Sequence, residues 1–197
     1  MIKRIFDIVF SFTGIIILLP LFLLLSILIK LNSKGPIFFT QTRVGKNNND
    51  FKIYKFRTMF IGADKDGLLT IGNNDARVTK IGYYLRKYKL DELPQLINVL
   101  NGTMSFVGPR PEVREYVNYY SKEDLEVFNV KPGITDYASI VFRNEAELLK
   151  KAKDPEKMYL NEILKKKIAL NKKYINNSTI ITDIKLIFKT LQRIIKE

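Results

Sequence analysis

The run IVFSFTGIIILLPLFLLLSILI, from Ile8 to Ile29, contains no charged residue. As a straight helix it measures about 33 Å at 1.5 Å per residue, against a hydrocarbon core of roughly 30 Å. Its length therefore permits a full membrane span. Pro20 lies mid-segment, lacks an amide hydrogen and clashes with the carbonyl of Ile16, which predicts a kink or break. Lys3 and Arg4 precede the run, and Lys30 and Lys34 follow it. Basic flanks favour the cytoplasmic side, so a helix–break–helix that enters one leaflet and returns satisfies both features. A kinked single span remains open, because proline is tolerated within transmembrane helices. A cleaved signal peptide fits less well, since the run is long and no small-residue cleavage site follows it cleanly.

The chain has 197 residues, enough for one domain with a real core. Its 33 Lys and Arg outnumber 20 Asp and Glu, giving a formal charge of +13. That balance suits an anionic partner such as nucleic acid, an acidic membrane surface or a phosphorylated small molecule. There is no Cys and no His. Disulfides, thiol nucleophiles, imidazole bases and His- or Cys-ligated zinc are thereby excluded. Catalysis must rest on carboxylates, Lys, Arg, Tyr, hydroxyls or an oxygen-bound metal such as magnesium.

Residues 35–59 alternate β-prone side chains around the turn-rich GKNNND and read as a short hairpin. Residues 61–75 read as a loop. RVTKIGYYLRKY turns helical, and a second helix follows LDELP through Leu93, Leu96, Ile97 and Leu100. GTMSFVGPRPE reads as a loop and EVREYVNYYSKEDLEVF as another helix. VKPGITDYASIVFRNEAELL passes from a turn through a β-prone stretch into a charged helix. At the C-terminus, about 179–196, Ile180, Ile181, Ile184, Ile187, Phe188, Leu191, Ile194 and Ile195 share one face. Lys185, Lys189, Arg193 and Lys196 occupy the other. Such a basic amphipathic helix either lies in a membrane interface or packs on the domain core.

Asp91 and Glu92 stand together in KLDELPQLINVL. Helix capping alone accounts for Asp91, and Pro94 fits an early helical position. A helix start also attracts phosphate, so a reactive role stays open, although capping is the simpler reading of the stretch alone. Arg86, Arg110 between Pro109 and Pro111, and Arg143 in FRNE suit phosphate by their planar fork. Each alone is more simply a surface cation, although the two prolines fix where Arg110 points. Lys55 and Arg57, in YKFRTM, are weaker candidates that an alternating strand would place on one face. No glycine-rich nucleotide loop occurs. The lysines are spread widely and no DNA or RNA motif is present, so nucleic acid is not expected as a partner.

Together these segments resemble the bacterial sugar transferase family, the monotopic polyprenyl-phosphate phosphoglycosyl transferases. The resemblance runs in order through KRIFDIVFS, GPIFFTQTRVG, FKIYKFRTM, DARVTKIGYYLRKYKLDELPQLINVLNGTMSFVGPRP, VKPGIT and the helical tail. It implies a minimal form of α+β class, mainly helical. A re-entrant membrane helix broken at Pro20 would occupy residues 1–34. A small cytoplasmic catalytic domain with a short β-hairpin and interfacial amphipathic helices would occupy 35–197. It further implies that Asp91 and Glu92 are the catalytic pair and candidate ligands of a required Mg²⁺. In that reaction the Asp carboxylate attacks the β-phosphate of a UDP-sugar, expels UMP and passes the phosphosugar to polyprenyl phosphate. The arginines, Lys55, Arg57 and the Pro109–Pro111 loop would bind phosphate and nucleotide. Expected partners are the UDP-sugar donor, the polyprenyl phosphate acceptor, inner-membrane lipids and, as an option, a second copy in a homodimer. The place expected is the cytoplasmic face of the bacterial inner membrane. Thr103, the segment Asp136–Ser139 and Asn171 depart from the family pattern, which leaves the sugar open. A catalytically silent membrane scaffold is the competing class.

Overall fold

The computed structural model describes all residues except 64–66, 68, 73–74 and 196–197, and all described side chains except those of Ile194 and Ile195. The apolar run forms a single helix, α1 (Ile2–Asn32), with Pro20 inside it. The two-helix arrangement expected around Pro20 is thus one continuous helix. Most of its apolar side chains, among them Phe10, Ile17, Leu24 and Ile27, are exposed. Only Asp7, Ser11, Leu25 and Ile29 are buried.

The polar residues of α1 attach it to the rest of the protein. The hairpin β1 (Phe38–Val44) and β2 (Asp50–Phe56) follows it, antiparallel as expected. Next come α2 (Lys80–Lys87), a 3-10 turn over Leu90–Glu92, and α3 (Gln95–Asn101). The strand β3 (Ser105–Val107) pairs in parallel with β4 (Gly133–Thr135). Asp7 Oδ1 accepts from Ser105 Oγ at 3.0 Å and from the Phe106 amide at 3.2 Å. Arg4 donates to the carbonyls of Val99 (2.6 Å) and Leu100 (2.7 Å) in the last turn of α3. At the other end of α1, Arg57 donates to the carbonyls of Ser33, Lys34 and Pro36 at 2.5–2.8 Å. Both ends of the helix are therefore bonded to one globular body.

Between β3 and β4 lies α4 (Arg114–Val117), followed by a 3-10 run over Asp124–Asn129. The long helix expected over EVREYVNYYSKEDLEVF does not form. Ser121 and Asp124 cap each other's amides, each at 3.2 Å, and so start a new turn in its middle. After β4 the chain is helical: α5 (Tyr137–Val141), α6 (Glu145–Lys150), α7 (Pro155–Met158), α8 (Leu164–Asn176) and α9 (Ile180–Ile195). A five-residue π-helical segment, Tyr159–Ile163, joins α7 to α8. The main core gathers Val44, Val113, Tyr116, Phe128, Leu149 and Ile163 among others.

The helix α9 differs from the expected two-faced tail. Ile181, Ile184, Phe188 and Leu191 are exposed, but the inward face buries Asp183 beside Leu186. A carboxylate is tolerated there because Tyr174 donates to it at 2.7 Å and Lys3 of α1 forms an ion pair with it. The side chains of Ile194 and Ile195, and all of Lys196, lie outside the described residues.

Candidate active site

The acid pair sits where two elements meet. Lys89, with φ +57°, turns the chain out of α2 through the left-handed region, and the 3-10 turn Leu90–Glu92 follows at once. A non-glycine residue in that region is a strained feature that clusters at functional sites. Asp91 lies inside this turn, not at a helix cap, and α3 begins after Pro94. Asp91 and Glu92 are only 8% and 9% exposed.

Their surroundings differ sharply. Glu92 Oε2 accepts from Arg110 Nη1 at 3.1 Å, and Oε1 accepts from Arg110 Nη2 at 2.5 Å and from Lys55 Nζ at 3.2 Å. Burial is the largest single influence on the Glu92 carboxyl and raises it, but Arg110 and Lys55 together outweigh burial. The group stays well below the usual carboxylate range. Asp91 Oδ1 is buried without any hydrogen-bond partner. Burial first, and the Glu92 charge second, push the Asp91 carboxyl above its ordinary value.

Arg110 is held from behind. Its backbone amide donates to Asp136 Oδ2 at 3.0 Å, and Asp136 Oδ1 accepts from the Ser139 amide, capping α5. The GPRP loop itself rests on a close backbone crossing, because a Cβ on Gly133 would come within 2.1 Å of the Gly108 nitrogen. The Glu92 charge raises the Arg110 guanidinium above its already high value. Lys55 is the opposite case: burial lowers its ammonium despite the neighbouring Glu92.

The pair opens on a cavity of about 790 Å³. Lys55, Arg86, Arg110, Arg143 and Pro111 all line it, so the structure brings most of the sequence-predicted residues to one space. Arg86 Nη2 donates to Thr70 Oγ1 at 2.9 Å, and burial lowers its guanidinium. Pro109 lines a separate small void behind Arg110. Arg57 borders the large cavity, but its donors are engaged with the carbonyls that end α1. Lys55 and Arg57, expected on one strand face, are thus divided between site and scaffold, because β2 ends at Phe56. Sequence reasoning passed over Arg43 and Glu112, which pair at 3.3 Å in the cavity wall. Glu112 directly follows Pro111, and that position in a proline-stiffened loop was the available signal.

Among the described residues no cluster of three or more acids forms a protein-only metal cage. The site still fits a magnesium ion of another kind, one held by one or two carboxylates together with substrate phosphates. The unpartnered Asp91 Oδ1 is the matching oxygen. Glu92 is the poorer ligand, since its oxygens already accept from Arg110 and Lys55.

A buried acid pair thus lies among cationic side chains in a protein whose first helix exposes most of its apolar side chains. The chain belongs to the bacterial sugar transferase family, whose model matches residues 1–197. Relatives include an Aeromonas hydrophila UDP-N-acetylgalactosamine-undecaprenyl-phosphate N-acetylgalactosaminephosphotransferase, 39% identical over 98% of this chain and 44% of that protein. The UDP-glucose:undecaprenyl-phosphate glucose-1-phosphate transferase of Escherichia coli (strain K12) is 36% identical over 97% of this chain and 39% of its own length. The exopolysaccharide production protein PSS of Rhizobium leguminosarum bv. phaseoli is 37% identical over 96% of this chain and 92% of that protein. The chain therefore spans less than half of the first two of these proteins and nearly all of the third.

Proposed function

We propose that this protein moves a sugar-1-phosphate from a UDP-sugar to undecaprenyl (polyprenyl) phosphate, releasing UMP and beginning glycan assembly on the membrane. One observation carries the reading. Of two adjacent buried carboxylates lining one cavity with Lys55, Arg86 and Arg110, Glu92 is fully engaged by cations and Asp91 keeps an oxygen without a partner. The free oxygen of Asp91 attacks the phosphorus that bears the sugar. The bond from that phosphorus to the oxygen bridging the two phosphates breaks, UMP leaves, and an acyl-phosphate joins Asp91 to the phosphosugar. An oxygen of polyprenyl phosphate then attacks the same phosphorus. The Asp91–phosphorus bond breaks, the carboxylate is restored, and a polyprenyl-diphosphate sugar departs.

Glu92 holds Arg110 and Lys55 in place, and these cations stabilise charge that develops on the transferring phosphoryl group. Arg86 and Arg143 would bind the donor diphosphate. Mg²⁺ would be held by the donor's phosphate oxygens beside the Asp91 carboxylate and would neutralise their charge.

The acceptor is a lipid, so the site must work at a bilayer. The exposed apolar side of α1 supports burial in one leaflet. Hydrogen bonds that join residues 4 and 7, and residues 33–36, to one globular body support a re-entrant course with both ends on the cytoplasmic face. The exposed Ile184, Phe188 and Leu191 of α9 would rest in the same interface. Incubating purified protein with Mg²⁺, UDP-sugars and undecaprenyl phosphate tests the reaction: UMP release is expected, and Asp91→Asn is expected to abolish it.

A further inference from the structure

The cavity walls are not alike in chemistry. Around Asp91 they present the cations Lys55, Arg86 and Arg110, which suit phosphate. On the side formed by α5 and α8 the ions are already matched. Lys167 of α8 pairs with Glu145, and Arg43 with Glu112. Arg143, just after α5, lines this side as well, together with two neutral polar residues. Asn171 of α8 is 5% exposed, and its Oδ1 is buried with no hydrogen-bond partner. Ser139 of α5 likewise has a buried Oγ without a partner. Both residues line the cavity. A buried polar atom left unpaired is costly, and on a residue that lines a ligand space a small side-chain turn would pair it with the ligand.

These groups also stand at a defined place relative to the reactive end. Asn171 shares a void of about 10 Å³ with Arg110. Asp136 accepts hydrogen bonds from the Arg110 amide and the Ser139 amide at once. The α5 wall is therefore fixed to the arginine that holds Glu92. A donor whose diphosphate lies among the cations around Asp91 has its uncharged sugar left for the wall that carries Asn171 and Ser139.

We propose that Asn171 and Ser139 are specificity-determining residues that read an acetamido substituent on the sugar of the donor. The inference rests on the transfer reaction proposed above. An acetamido group sets an N–H donor and a C=O acceptor apart on one plane. It can meet the Asn171 Oδ1 and the Ser139 hydroxyl together, which a single ring hydroxyl does less well. Family membership does not decide the sugar, since relatives are named for both N-acetylgalactosamine and glucose.

The test is the ratio of kcat/KM for UMP release from UDP-N-acetylgalactosamine and from UDP-glucose. It is measured in the intact protein, Asn171→Leu and Ser139→Ala, with the melting temperature of each. The intact protein should prefer the acetamido donor, and each variant should lower that preference by about tenfold to a hundredfold while changing UDP-glucose use little. Ser139→Ala keeps the backbone amide that Asp136 accepts from, so it remains informative if Asn171→Leu fails to fold. A ratio unchanged within about twofold overturns the assignment, whether both donors fall together or neither does. A preference for UDP-glucose in the intact protein overturns it as well. No UMP from either donor would contradict the transfer reaction itself, and the assignment with it.

Discussion

Arg110 grips Glu92 through both terminal guanidinium nitrogens, Nη1 at 3.1 Å from Oε2 and Nη2 at 2.5 Å from Oε1. The paired geometry fixes the Glu92 carboxylate in orientation and keeps it ionised. The neighbouring Asp91 lines the same cavity without such a grip, and its Oδ1 has no hydrogen-bond partner. One ion pair thus divides two adjacent acids into a support and a candidate nucleophile.

Replacing Arg110 by Ala should remove that division. Glu92 would keep only Lys55, and the cavity would lose a cation that faces the donor phosphates. We expect kcat/KM for UMP release to fall by about a hundredfold or more, with membrane association unchanged in a vesicle flotation assay. Unaltered kinetics would remove Arg110 from the site.

The two acids should also separate along a pH axis. Asp91 reacts as the carboxylate, and burial with the Glu92 charge raises its pKa above 3.8. Activity should therefore fail on acidification at a higher pH than an exposed aspartate would give. Glu92 is shifted the other way, so the stability from its pair with Arg110 is present above its unfolded value near 4.5. It is lost only as pH falls through the lower folded value. Profiles of kcat/KM and of melting temperature against pH should show activity declining while the fold persists.

Arg57→Ala should act on the scaffold. The residue is 5% exposed, and its donors end on the carbonyls that follow α1. Leaving those carbonyls unpaired should cost about 2–4 kcal/mol of stability. UMP release per folded molecule should change far less than in the Arg110 variant. A normal melting temperature with lost donor binding would instead assign Arg57 to the substrate.

The course of α1 makes a separate prediction. Ile2 is 75% exposed at the start of the helix. A Cys introduced there should react with a membrane-impermeant maleimide only after cells are permeabilised. Labelling from outside intact cells would establish a span.

Much of this was legible in the sequence because it was local. The apolar run, the hairpin around GKNNND, the helices on either side of LDELP and the adjacency of Asp91 and Glu92 all depend on near neighbours. The asymmetry of the two acids was not local. It arises from Lys55, 37 residues before Glu92, and Arg110, 18 residues after it. Capping chemistry at Ser121 and Asp124 was visible but subordinate to the helical pattern around it, and it divided the expected helix. Pro20 had the opposite outcome. A strong local breaker sits inside a continuous helix, whose two ends are held by contacts from residues distant in sequence.

The free oxygen of Asp91 is tested most directly by intact-protein mass spectrometry after incubation with Mg²⁺ and a UDP-sugar that is turned over, without acceptor. The expected result is an added mass of one sugar phosphate, mapped to the peptide containing Asp91, absent in Asp91→Asn and discharged by undecaprenyl phosphate. Turnover by Asp91→Asn at a rate near that of the intact protein, or an adduct on another residue, would contradict the covalent role of Asp91.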